Sequence, residues 1–94
     1  MGQRYIQSEN IVTRQVAGET LLVPIRGDLA GIQRIFALDE VSRFIWERLD
    51  GVRDVAALAA EVCAAFEVGA GQAIEDIGQF VGELKAAGLA TELA

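Results

Sequence analysis

Residues 10–16 alternate, with Ile11 and Thr13 on one face and Val12, Arg14 and Val16 on the other, the two-residue period of a strand. Ala17-Gly18-Glu19 reads as a short turn, and residues 19–25 that follow are rich in Leu and Val. Pro24 has no backbone donor, which places it where strand pairing ends. Residues 26–31, with two glycines, form a loop, and residues 32–37 a third strand. Together these predict a three-stranded antiparallel meander with the third strand at one edge.

After residue 38 the period changes to that of helices. Asp39 is a predicted N-cap, followed by Glu40 at the positive helix end. Val41, Phe44, Ile45 and Leu49 then form an apolar stripe, and Gly51 is placed as the C′ glycine. Asp54 caps a second helix whose face is Val55, Leu58, Ala59, Val62 and Phe66. Gly69 and Gly71 break the chain, and a third helix runs from about residue 72 to residue 87, where Gly88 ends it. The predicted class is therefore α+β, winged-helix-like, with the meander followed by three α-helices.

The third helix has a wide stripe, Ala73, Ile74, Ile77, Phe80, Val81, Leu84 and Ala87, spanning roughly 140° where one partner surface needs about 100°. It can cover the other helices and also something beside the sheet edge, or serve a thin core that needs more coverage. Gly78 and Gly82 lie inside this helix, each costing roughly 1 kcal/mol relative to Ala. They suggest close approach by a neighbouring helix or by a ligand. Lys85 projects from nearly the same side as Gly78, either presenting a cation or lying across apolar surface. Trp46 at the edge of the first stripe and Cys63 beside the second read as core residues. Arg34 on the edge strand guards against aggregation or steers an acidic partner.

Composition narrows the function. The 94 residues suit one small domain, residues 1–94, with a core over about 10–90. There is no His and one Cys, so zinc sites, nucleophilic triads and disulfide frameworks lack their parts. A non-catalytic binding module without metal or cofactor is the expectation. The net charge is −6, made of +1 over residues 1–38 and −7 over residues 39–94. That balance argues against binding nucleic acid. A winged-helix regulator would present Arg or Lys on its groove helix; here Glu75, Asp76 and Glu83 face Lys85 alone. No stretch of 18 apolar residues occurs and the first residues have no apolar signal core, so no membrane is implied and the cytoplasm is the expected compartment.

Several stretches, taken in order and spacing, resemble the PqqD-like family. They begin with residues 14–19, Leu21-Leu22-Val23 and Leu38-Asp39, which lead into Phe44-Ile45-Trp46-Glu47-Arg48-Leu49-Asp50-Gly51. Residues 55–59 and Phe66-Glu67-Val68 follow, then Asp76-Ile77, Phe80-Val81, Leu84 and Ala87-Gly88-Leu89. Asp39 stands where the family often has Asn, and the 26–31 loop is longer than in many members.

The resemblance implies a chaperone that recognises the leader of a ribosomally made precursor peptide. It presents that peptide to a modifying enzyme, often a radical SAM maturase. The leader adds as a strand to the sheet edge, in a groove shared with the third helix. Ile32, Gln33, Arg34, Ile35 and Phe36 would supply the backbone ladder, and Ile77, Phe80, Val81 and Leu84 the apolar pockets, beside Gly78 and Lys85. The implied partners are the leader peptide and the maturase, with a homodimer left open. The competing readings are a structural adaptor or dimerisation subunit of a maturase, and the DNA-binding regulator already disfavoured by charge.

Overall fold

The computed structural model describes residues 2–9, 11–24 and 36–93. Its elements are β1 (Arg4–Gln7), β2 (Ile11–Val16), β3 (Glu19–Pro24), β4 (Phe36–Leu38), α1 (Glu40–Trp46), β5 (Asp50–Asp54), α2 (Val55–Ala65), α3 (Ala70–Ala86) and β6 (Ala90–Leu93). The expected α+β fold is present, with the meander as one antiparallel sheet of order β2-β3-β4. A second antiparallel sheet, of order β5-β1-β6, was not anticipated.

The β2–β3 hairpin pairs Val16 with Glu19 across Ala17 and Gly18, both at positive φ (53° and 83°). This is a two-residue turn of the type that matches the right-handed twist of its strands. The register continues to Ile11 opposite Pro24, and β3 pairs with β4 through Thr20–Leu38, Leu21–Ala37 and Leu22–Phe36. Alternation turns Leu22 and Leu38 inward, where both are buried.

Both predicted caps form. The Ser42 N–H donates to Asp39 Oδ1 at 2.8 Å, and the Ala57 N–H to Asp54 Oδ1 at 2.8 Å. Each satisfies one orphan donor of a first turn. Gly51 does not end α1, which stops at Trp46 with Glu47 as its C-cap. It lies instead in β5 at φ 80°, where a Cβ would stand 3.0 Å from Leu93 Cδ1. A positive φ suits both a helix stop and a strand irregularity, which is why the glycine alone misplaced the boundary. α3 starts at Ala70 with Gly69 at its N-cap, two residues earlier than the glycine pair suggested. Gly88, at φ 78°, does end it. The Leu89 N–H donates to Leu84 O and the Gly88 N–H to Lys85 O, the paired bonds of a Schellman stop.

The second sheet joins the ends of the described chain. β1 pairs with β6 from Arg4–Leu93 to Gln7–Ala90, and with β5 on its other side. It also finishes the end of α1, since Gln7 Nε2 donates to Trp46 O at 2.6 Å, and its flank holds the turn after α3, since Ser8 Oγ donates to Gly88 O at 2.8 Å. The core lies between the sheets and the helices. It contains Tyr5, Leu22, Leu38, Ile45, Trp46, Leu58, Val62, Ile77, Val81 and Leu84. Trp46, 3% exposed, is the core residue it was expected to be.

Candidate functional site

Among the described residues β4 is an edge strand, and the hairpin register shows which of its groups face away from β3. Val16 and Glu19 close a two-residue turn, so they form a hydrogen-bonded pair. Pairing alternates along antiparallel strands, so Glu19, Leu21 and Val23 direct their backbone groups to β2. Thr20 and Leu22 therefore turn theirs towards β4, onto Leu38 and Phe36. Ala37, opposite Leu21, is left with its N–H and C=O pointing away from the sheet. Its side chain is exposed, while Phe36 is half-buried and Leu38 buried.

Phe36 connects this edge to α3. Its ring meets Phe80 edge-to-face, with centroids 6.4 Å apart. Phe80 itself is 8% exposed, whereas Ile77, Val81 and Leu84 are at most 1% exposed and form core. Of the four predicted pocket residues, Phe80 is the one that meets β4 in an aromatic contact. Ile32, Gln33, Arg34 and Ile35 lie outside the described residues.

The remaining candidates point elsewhere. At 100° per residue, Gly78 and Lys85 lie about 160° and 140° around α3 from Phe80. The Lys85 ammonium bonds Glu92 of β6 at 2.8 Å. That hydrogen bond, and then the Glu92 charge, raises the Lys85 pKa above the ordinary lysine value. A Cβ at Gly78 or Gly82 would meet nothing within 4 Å, so no neighbour crowds either glycine. The breadth of the α3 stripe is used by α2, by β6 and by the Phe36 contact.

Two cavities lie beside the start of α1 and share Asp39 and Ser42 in their walls. One, of about 670 Å³, is bounded by the hairpin turn at Gly18–Thr20, by Ala37–Glu40 and by Ser42 and Arg43. The other, of about 280 Å³, lies between α1 and α3, with an apolar base that includes Ile45, Val62, Ala73 and Ile77. Phe80 borders this second cavity, which sequence reasoning missed together with Ala37.

Of the described ion pairs, Arg43–Glu47 borders the larger cavity, and the others involve α2, β5, β6 and the turn after α1. Arg48 stacks over the Phe44 ring at 3.5 Å, and its Nε meets Glu61 at 3.2 Å. Arg53 reaches Glu61 at 2.6 Å and also pairs with Asp50. Backbone N–H groups of Val52 and Arg53, with the Arg53 charge, hold the Asp50 carboxyl below its ordinary pKa. Among the described residues no group of three or more His, Cys, Asp or Glu side chains is placed to hold a metal ion. No helix there is long and apolar enough to cross a membrane.

Residues 19–90 match the family model described as coenzyme PQQ synthesis protein D (PqqD). No curated protein matches the chain significantly. Two solved structures share its fold. One is TbiB1 in complex with the TbiA(beta) leader peptide, 21% identical, covering 95% of this chain and 98% of its own, with a TM-score of 0.75. The other is lasso peptide synthetase B1 complexed with the leader peptide, 22% identical, covering 94% and 98%, with a TM-score of 0.76.

Proposed function

This chain belongs to the PqqD family, and from that premise we propose that it is a non-catalytic chaperone for a ribosomally made precursor peptide. It binds the leader of that peptide as an added strand along β4 and presents it to a modifying enzyme. The observation that carries this reading is the open β4 edge beside α3, with Ala37 directed outward and Phe36 seated against Phe80. An extended peptide satisfies such an edge with its own backbone, and its alternate side chains face the helix. Both solved neighbours are complexed with leader peptides, which supports a leader as the ligand here. The receiving enzyme is a peptide maturase, with the radical SAM class implied by the resemblance and the lasso peptide synthetases offered by the neighbours.

Charge supports this reading over DNA binding. Glu75, Asp76 and Glu83 are exposed on α3, and its one cation, Lys85, is paired with Glu92. The test is a pull-down from the native host with this chain as bait, followed by calorimetric titration with the synthetic leader of any precursor recovered. A precursor peptide that binds through its leader is the expected result. A chain that recovers a modifying enzyme and ignores every precursor is an adaptor, and the proposal then fails.

A further inference from the structure

The 280 Å³ cavity between α1 and α3 has no role in the backbone ladder. Its buried walls include Ile45, Val62, Ala73, Ile77 and Phe80, while its exposed members are the rim residues Asp39, Asp76 and Gln79. At about 280 Å³, at the small end of ligand pockets, this space has room for one large side chain. It is linked to β4 through two of its wall residues, since Asp39 directly follows Leu38 and Phe80 meets Phe36. Side chains of an added strand alternate, so every second one faces the helix layer, as Phe36 and Leu38 do.

The rim decides which side chain the cavity suits. Asp39 Oδ1 receives the Ser42 N–H and Asp76 Oδ1 receives Gln72 Nε2, while neither carboxylate enters an ion pair among the described residues. The cations of α1, β5 and α3 are engaged by Glu47, Glu61, Asp50 and Glu92 elsewhere. An apolar base under two carboxylates that enter no described ion pair matches a long aliphatic stem with a cationic tip. We propose that the cavity is a specificity subsite that takes one lysine or arginine side chain of the bound peptide, its stem against Ile45, Val62 and Phe80 and its charge at Asp39 and Asp76. This rests on the strand-addition reading above.

The test is selection of random dodecapeptides displayed on phage against the full chain, with the Ala37→Pro variant as the strand-addition control. Enriched sequences are then synthesised and titrated against the parent and against Asp39→Asn/Asp76→Asn. Asn still caps helices well, so the double variant removes charge while keeping α1; a thermal melt checks this. The expected result is enrichment with Lys or Arg at one fixed position, and a loss of about tenfold in affinity on the double variant. Replacing that peptide cation by norleucine is expected to cause the same loss. If the fixed position is aromatic or aliphatic, or the double variant binds as the parent does, the subsite is wrong while sensitivity to Ala37→Pro preserves strand addition. If the parent enriches nothing over the Ala37→Pro variant, strand addition fails and the subsite with it.

Discussion

The two sheets of this molecule are built from similar lengths of chain and differ in where their polar groups go. In β5-β1-β6, side chains of β1 and its flank bond the end of α1 and the turn after α3, Arg53 is held by Glu61, and Glu92 holds Lys85. In β2-β3-β4, no strand residue enters an ion pair among the described residues, and β4 leaves backbone groups turned outward. The first sheet is braced internally and acts as scaffold. The second has an edge strand among the described residues and a cavity near its end, where the proposed ligand would bind. On the proposed function, stability and recognition are carried by different sheets of one small fold.

Breaking the scaffold has the largest expected effect. Trp46→Ala removes a buried ring from the junction of α1 with β1 and is expected to cost about 3–5 kcal/mol by chemical denaturation. A variant that keeps its melting temperature and loses peptide binding would move Trp46 from scaffold to ligand contact. Smaller and opposite in sign, Gly78→Ala and Gly82→Ala are each expected to stabilise α3 by up to about 1 kcal/mol, since the added methyl meets nothing. If either variant melts lower than the parent, something crowds that face of α3. Asp54→Ala, which removes the cap of α2, is expected to cost about 1 kcal/mol.

The smallest effects are those of pH on the scaffold's charged groups. Asp50 has a lowered folded pKa, so its contribution is present above the ordinary carboxylate range and is lost as pH falls through the depressed value. Lys85 has a raised folded pKa, so its contribution is present below the ordinary lysine range and is lost as pH rises through the raised value. Site-resolved NMR titration is expected to show both displacements. Ordinary values at either residue would remove that brace from the scaffold.

The sequence was most legible where local chemistry decides structure. Asp39, Asp54 and Gly88 announce helix ends through their own hydrogen bonds or dihedrals, and the stripe of α2 follows its period. The second sheet was not legible because its strands gain their pairing from distant chain. β1 turns one apolar residue fully inward, Tyr5, and Val52 of β5 is 76% exposed, so neither shows an alternation to read. Gly51 belonged to that hidden sheet and imitated a helix stop.

At the candidate site an edge strand was legible, with Phe36 and Ala37 of the expected residues 32–37 found in β4 and the rest outside the described residues, while its open groups were not legible. Their direction depends on the turn holding two residues, Ala17 and Gly18, rather than three. A shift of one residue reverses which groups face outward. The Ala-Gly pair between Val16 and Glu19 was the available signal. Asp39 and Asp76 carried no mark of a shared rim, because they lie on elements that only tertiary packing brings together.

The central claim is that a leader joins β4 through the outward groups of Ala37, and a pair of proline variants tests it most directly. Proline is tolerated at an edge where the missing N–H faced solvent. Ala37→Pro is therefore expected to stay within about 1 kcal/mol of the parent's stability while leader affinity, measured by calorimetric titration, falls at least tenfold. Leu38→Pro removes an inward bond to Thr20 and is expected to cost about 3 kcal/mol, registered in a thermal melt. A folded Ala37→Pro variant that binds the leader with the parent's affinity would contradict strand addition at this edge.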